Sequence, residues 1–268
     1  MDSREFLGVV QTHDPNRWEI EVVPRLQTHG GFLWGGAGLA SSVYAMEQMS
    51  GRQLVWATAQ FLSHARPPEV MSIDVDLSVV GRTVTQARTV GHVAHKEILT
   101  VNAALGERNF AHSGQFVTMP EVPRPESIIP WPPDRDNKNT ISDRLDLRFV
   151  KGRRMTDRDG VMDDGRTIMW AKVRDVVTGV DSASLAVLAD FVPMGLGMNM
   201  GINGGGTSID NTIRIYKLAP TEWVLLDVHS HGVARGFGHG IVHMFAEDGT
   251  LLATASQSVL MRTWDDSK

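Results

Sequence analysis

The residue best suited to do chemistry in this 268-residue chain is Asp190, set in the apolar run Leu185-Ala-Val-Leu-Ala-Asp-Phe-Val192. An ionised carboxylate is costly to strip of water unless it is hydrogen-bonded. The run therefore has two readings: a segment with one wet side, or a buried acid held by donors for acid–base work. Cysteine is absent, which excludes thiolate nucleophiles, disulfides and zinc sites of the Cys-x-x-Cys kind. No Gly-rich phosphate loop ending in Lys-Ser/Thr and no Gly-x-Ser-x-Gly elbow occurs. Gly36-Ala-Gly38-Leu-Ala-Ser41 approaches a dinucleotide fingerprint, but Ser41 replaces the third glycine and no acid ends the next strand, so that reading is rejected. Among ten histidines, His229 and His231 share a strand face, His92 and His95 are three apart, and His239 and His243 are four apart. Four residues along a strand span about 13 Å, so no metal site is expected.

The elements that must position Asp190 are legible from periodicity. Residues 16–23 alternate enough for a strand, and residues 24–31 read as a loop. A helix follows, with Leu39, Val43 and Met46 at helical spacing, Gly35 and Gly36 at its start and Gly51 at its end. From residue 54 the period changes to two, predicting strands over 54–62, 72–79, 83–93, 97–105 and 110–118. Six of the twelve prolines fall between Pro120 and Pro133, a stiff connector rather than sheet. The second half repeats the plan: strands over 145–150 and 167–173, a helix from the Asp190 run that Pro193 should kink or end, then strands over 207–216, 222–230, 238–245 and 251–262. Residues 104–117 also lie over 246–259 without a gap, putting Gln115 opposite Gln257, and Pro68-Glu answers Pro220-Thr-Glu. These features predict an internal duplication of an α+β unit, one helix against an antiparallel sheet. The boundaries are 1–119, a Pro-rich connector over 120–141, and 142–268.

Composition narrows the partners. Net charge is −5 with both signs interspersed, which argues against nucleic acid and against anionic membrane surfaces. The polar N-terminus predicts no signal peptide, and no apolar stretch approaches the ~18 residues of a membrane span. A cytoplasmic protein is expected.

Several stretches together resemble the type II acyl-CoA thioesterases: Phe32-Leu-Trp-Gly-Gly-Ala-Gly-Leu-Ala-Ser-Ser-Val-Tyr-Ala45, Leu188-Ala-Asp-Phe191, Thr207-Ser-Ile-Asp-Asn211 with Pro220-Thr-Glu-Trp-Val-Leu-Leu226, and the segment from Glu247 to Gln257 followed by Met261-Arg262. The resemblance covers roughly residues 15–118 and 145–262, and the C-terminal motifs are the specific ones. It implies a double hotdog, two tandem helix-wrapped antiparallel sheets in one chain, with no cofactor and an acyl-CoA substrate. It further implies a catalytic set of Asp190, Ser208 and Gln257 that holds the hydrolytic water. Ser208 keeps the hydroxyl where relatives carry Thr. Asn211 replaces a common His, and Ala37 follows the glycine pair where Gln is frequent, two departures that bear on substrate preference.

In that set the carboxylate would take a proton from water while the hydroxyl and the amide fix the water's orientation; direct attack by Asp190 to give an anhydride stays open. Gly35 and Gly36, at a helix start and without Cβ, suit close approach of substrate and stabilisation of its oxyanion. Taken alone, Ser208 reads as a loop-to-strand residue, Gln257 as a surface strand residue and the glycine pair as packing. The first helix has Ser41 or a neighbour opposite Asp190 and no acid until Glu47, so one catalytic centre per chain is expected, between the halves. The competing function is a non-catalytic acyl-CoA-binding or regulatory hotdog protein. Enoyl-CoA hydration lacks its Asp/His pair. A homodimer or larger assembly is expected from exposed sheet edges and the family's habit.

Overall fold

The computed structural model describes residues 1–130 and 138–264; part of the Pro-rich connector, residues 131–137, lies outside the described residues. A short capped helix, α1 (Ser3–Leu7), and β1 (Val10–Gln11) precede the elements expected from sequence. Then β2 (Arg17–Glu21) leads to α2 (Gly35–Ser50), which buries Leu39, Val43 and Met46 and stops at Gly51. Gly51 has φ of 63°, the left-handed C-cap that glycine adopts without steric cost. The alternating segments form β3 (Leu54–Phe61), β4 (Val70–Val80), β5 (Val84–Val93) and β6 (Lys96–Gly106).

The second half contains β7 (Leu145–Lys151), β8 (Arg166–Val173), α3 (Ser182–Leu188), α4 (Val192–Met200), β9 (Gly204–Ser208) and β10 (Asp210–Ile215). It closes with β11 (Val224–Ala234), β12 (Phe237–Ala246) and β13 (Leu251–Thr263). All strands join one antiparallel sheet of 13, in the order β1-β2-β4-β5-β6-β3-β10-β13-β12-β11-β8-β7, with β9 also on β13. Its inner face buries α2 and α4 in one apolar core, giving the α+β double-hotdog arrangement.

The halves meet where β3 pairs with β10, and the Thr58 and Thr212 hydroxyls lie 2.9 Å apart. Register across this junction fixes which residues correspond. Thr58 pairs with Asn102 and Thr212 with Ser256. Both ladders skip one residue at the same place: Val55 between Leu54 and Trp56, and Ile209 between Ser208 and Asp210. Leu54, opposite Leu105, therefore corresponds to Ser208, opposite Val259, and Ala103 corresponds to Gln257.

Three expectations are corrected. Residues 110–118 are not a strand: β6 already has β5 on one side and β3 on the other, so no edge is open beside it. Gln115 consequently does not correspond to Gln257. It accepts from the Leu251 N–H (2.7 Å) and donates to the Gly249 carbonyl (3.0 Å) of the other half. Beyond it the connector lays Met119, Val122 and Ile128 over a second apolar cluster of Trp170, Trp223, Leu225 and Phe245 on the sheet's outer face, with Trp170 donating to the Pro123 carbonyl. Lastly, the helix of the Asp190 run is broken, as Pro193 predicts, but the break falls before Asp190 rather than after it. α3 ends before Asp190 and Pro193 sits in the first turn of α4, because proline inside a continuous helix would clash with the carbonyl four residues back. Residues 182–200 are long and apolar enough for a membrane span, but most of them are buried inside this fold.

Candidate active site

The break between α3 and α4 turns Asp190 toward the start of α2. The N-cap of α2, Trp34, offers no side-chain hydrogen bond, and the first N–H groups of a helix have no partner within it. Asp190 supplies one: its Oδ2 accepts from the Gly36 N–H at 2.8 Å. An acid from one repeat thus caps the helix of the other, where the helix dipole favours negative charge. Glycine is required at both positions here. A Cβ on Gly35 would lie 2.8 Å from Asp190 Oδ2, and one on Gly36 would lie 2.7 Å from the Val187 carbonyl.

The break also leaves the Val192 N–H without a helical partner, and Gln257 Oε1 accepts it at 3.1 Å. That bond orients the Gln257 carboxamide so that Nε2 donates to Asp190 Oδ1 (2.5 Å) and to Ser208 Oγ (2.9 Å). Ser208 in turn donates to Asp190 Oδ1 at 3.1 Å. The three residues read from the sequence are brought together, 18 and 67 positions from Asp190 along the chain. Asp190 and Gln257 are buried, at 4% and 3% exposure. Burial pushes the Asp190 carboxyl up to about 6, against the pull of its bonds to Gln257, Gly36 and Ser208. The wet-side reading of the run does not hold.

A carboxylate offers about four acceptor sites. Three of Asp190's are taken, which leaves one on Oδ2, beside Gly35. Asp190, Ser208 and Gly35 line a cavity of about 610 Å³ whose apolar wall includes Leu33, Phe61, Ile98, Leu145, Phe191 and Met194. Gly36 does its work behind that wall, through its N–H on Asp190. His64, Arg158 and Arg262 also line the cavity. Burial first, then Arg66, Arg262 and Lys96 nearby, hold His64 below its ordinary value.

Ser41 lies inside α2 with its hydroxyl on the Ala37 carbonyl (2.9 Å), and Glu47 accepts from the Leu54 N–H (2.7 Å) near the helix end. Among the described residues, Asp227, His229 and His243 hold ligand-type atoms within 4.8 Å of one another. Spacing along one strand could not show this, because Asp227 and His243 are partners across β11 and β12. Arg166 places two N–H groups on Asp227, at 2.8 and 2.9 Å, and so balances its charge.

Comparison with known proteins is consistent with this geometry. The family model for the acyl-CoA thioesterase C-terminal domain matches residues 120–261, just over half of the chain. A thioesterase candidate from Novosphingobium aromaticivorans superposes with a TM-score of 0.84 at 31% identity, covering 95% of this chain and 98% of that one. An acyl-CoA thioesterase II from Mycobacterium marinum (TM-score 0.74, 18% identity, 98% and 99% covered) and a hot dog fold protein of Alicyclobacillus acidocaldarius (0.85, 19%, 98% and 98%) share the fold. A search of curated protein sequences finds no match. With the family model spanning half its length and nearly a third of its residues identical over a full-length alignment, the chain belongs to the type II acyl-CoA thioesterase family of hotdog hydrolases.

Proposed function

We propose that this thioesterase hydrolyses acyl-CoA by a single water that Asp190 activates. The observation that carries the reading is the buried Asp190 carboxylate, with three acceptor sites filled and one left at the cavity. Asp190 takes a proton from water as the hydroxide adds to the thioester carbonyl. The C–S bond then breaks, the proton passes from Asp190 to the departing thiolate, and free acid and CoA leave. Ser208, on the cavity lining, holds the water in line, and Gln257, whose amide hydrogens go to Asp190 and Ser208, holds those two in place. Since the Gly36 N–H is occupied by Asp190, the oxyanion falls to the Gly35 N–H at the start of α2, where the helix dipole favours it.

The apolar wall suits an acyl chain, and Arg158 and Arg262 on the lining, with Arg66 and Lys96 close by, suit the phosphates of CoA. The chain works in the cytoplasm, as a homodimer or larger assembly, in this proposal.

The test is thiol release from acyl-CoAs running from acetyl to palmitoyl. Turnover that Asp190→Asn removes while binding persists is the expected result. Tight binding of acyl-CoA by the unaltered protein with no turnover would replace this reading with the non-catalytic one.

A further inference from the structure

Asn211 is fully buried, and neither its Nδ2 nor its Oδ1 has a hydrogen-bond partner among the described residues. Buried polar groups are nearly always satisfied, so each exception asks for a cause. Its place in the fold supplies one. Asn211 pairs with Ala59 of β3 on one side. On the other, the β10–β13 register one step beyond Thr212↔Ser256 sets it beside Gln257. Both residues lie on the inner face, since their neighbours Thr212 and Ser256 share the outer face with Thr58.

A second observation points the same way. By the correspondence that matches Leu54 to Ser208 and Ala103 to Gln257, the counterpart of Asn211 is Ala57. Three inward positions are polar in the second repeat, and all three are apolar and buried in the first. Asn211 thus differs from its twin together with Ser208 and Gln257.

We propose that Asn211 is a positioning residue of the thioesterase centre, acting through Gln257. Its amide, with one buried water, engages the remaining lone pair of Gln257 Oε1 and locks the carboxamide with Nε2 toward Asp190 and Ser208. A carboxamide turned by 180° would bring its oxygen against the Asp190 carboxylate and lose both donations. At present one protein contact, the Val192 N–H, holds it the right way. An Asn211 donor next to Oε1 doubles that hold, and a water suits the span because it donates and accepts at once. The inference rests on the reading of Asp190, Ser208 and Gln257 as the catalytic centre.

Asn211→Leu, near in volume and apolar, tests it. Asn211 has no direct protein hydrogen bond to lose, so the melting temperature should change little, whereas kcat should fall about 10-fold to 100-fold with KM nearly unchanged, as misplacement of a catalytic group does. The acid limb of the kcat/KM profile should move to higher pH, because a turned Gln257 no longer donates to Asp190. Asn211→His, which restores donor and acceptor, should recover most of the loss. In a Gln257→Ala background Asn211→Leu should add nothing. If the Leu variant does not fold, the smaller Asn211→Val takes its place in every measurement. A folded Leu or Val variant with unaltered kcat and unaltered pH profile overturns the proposal, as does an additive loss on Gln257→Ala. An NMR titration of the Asp190 carboxyl, which needs no turnover, separates this outcome from failure of the thioesterase reading: a protein that cleaves no acyl-CoA should still show the Asp190 titration shifted upward by Asn211→Leu.

Discussion

The two repeats share strand order, a buried helix and a one-residue skip at the same point of β3 and of the β9–β10 edge, yet they differ around the buried Asp190 carboxyl. The second repeat carries Ser208 and Gln257; the first carries Leu54 and Ala103. Duplication in one chain allows this, because each copy can change alone, which identical subunits of a homodimer cannot do. The division of labour is also physical. A buried acid costs stability wherever it stands, and it is tolerable only with donors around it. One repeat supplies the acid and two donors, and the other supplies the helix start and the Gly36 N–H. The first repeat, with no acid, fills the matching positions with hydrocarbon and gains ordinary core.

The largest effect that this comparison predicts is for Asp190→Asn. With no acid at the first repeat's counterpart site, nothing can substitute, and kcat should fall by about 10²–10⁴-fold, the usual range for a general base. Residual thiol release above a tenth of the original rate would mean that the asymmetry is not catalytic.

A second effect appears in stability against pH. The Asp190 carboxyl is raised from 3.8 to about 6 in the folded state. A raised acid contributes stability that is fully present below the unfolded value and is lost as pH rises through the folded one. The window is therefore pH 3.8 to about 6, with about 3 kcal/mol at stake at 1.36 kcal/mol per unit. Urea unfolding of the original protein and of Asp190→Asn, at pH 4 and pH 7, should differ in their pH dependence by about 2 kcal/mol, most of that amount, since the unfolded carboxyl is already half ionised at pH 4. Activity runs the other way, since the ionised form is the base: kcat/KM should drop about tenfold per unit below pH 6. A flat difference between the two proteins would mean that Asp190 ionises as a surface carboxyl does, unshifted by burial.

Much of this was legible in the sequence, for identifiable reasons. β4 and β5 bury every second residue over long stretches, so period two could hardly be misread. α2 ends at Gly51, whose left-handed C-cap role is local. The proposed catalytic set came from a resemblance to a family; the residue types alone left Ser208 and Gln257 as ordinary strand residues. What was missed depends on tertiary pairing. Residues 110–118 look strand-like, but whether an edge is open to them is a property of the whole sheet. The gapless match of Gln115 to Gln257 was local likeness, which the register between β3 and β10 overrules. Asn211 stood out only as a departure from the resembled family; its unsatisfied amide is visible only once its neighbours are placed.

Smaller in effect, Gln257→Ala gives the second repeat the residue of the first. The acid keeps Ser208 and Gly36 but loses a donor that holds its pKa down, and the Val192 N–H loses its acceptor. A kcat loss of about 10² is expected, with the acid limb moved above pH 6. If the limb stays in place, Gln257 is not controlling Asp190.

The smallest effect should come from a polar change at the matched position, Ala103→Ser. Ala103 is buried at 1% exposure on the inner face of β6, at the position that corresponds to Gln257. A hydroxyl there adds one atom and needs one partner, a burden of about 1–3 kcal/mol if it finds none, so the melting temperature should drop slightly. Turnover should stay within about twofold, because no acid faces that position and disturbing it removes no donor from Asp190. The comparison of Ala103→Ser with Gln257→Ala is therefore the direct assay of asymmetry: equal losses in kcat at the two matched positions would mean that both repeats contribute to one shared centre, and unequal losses that only the second does.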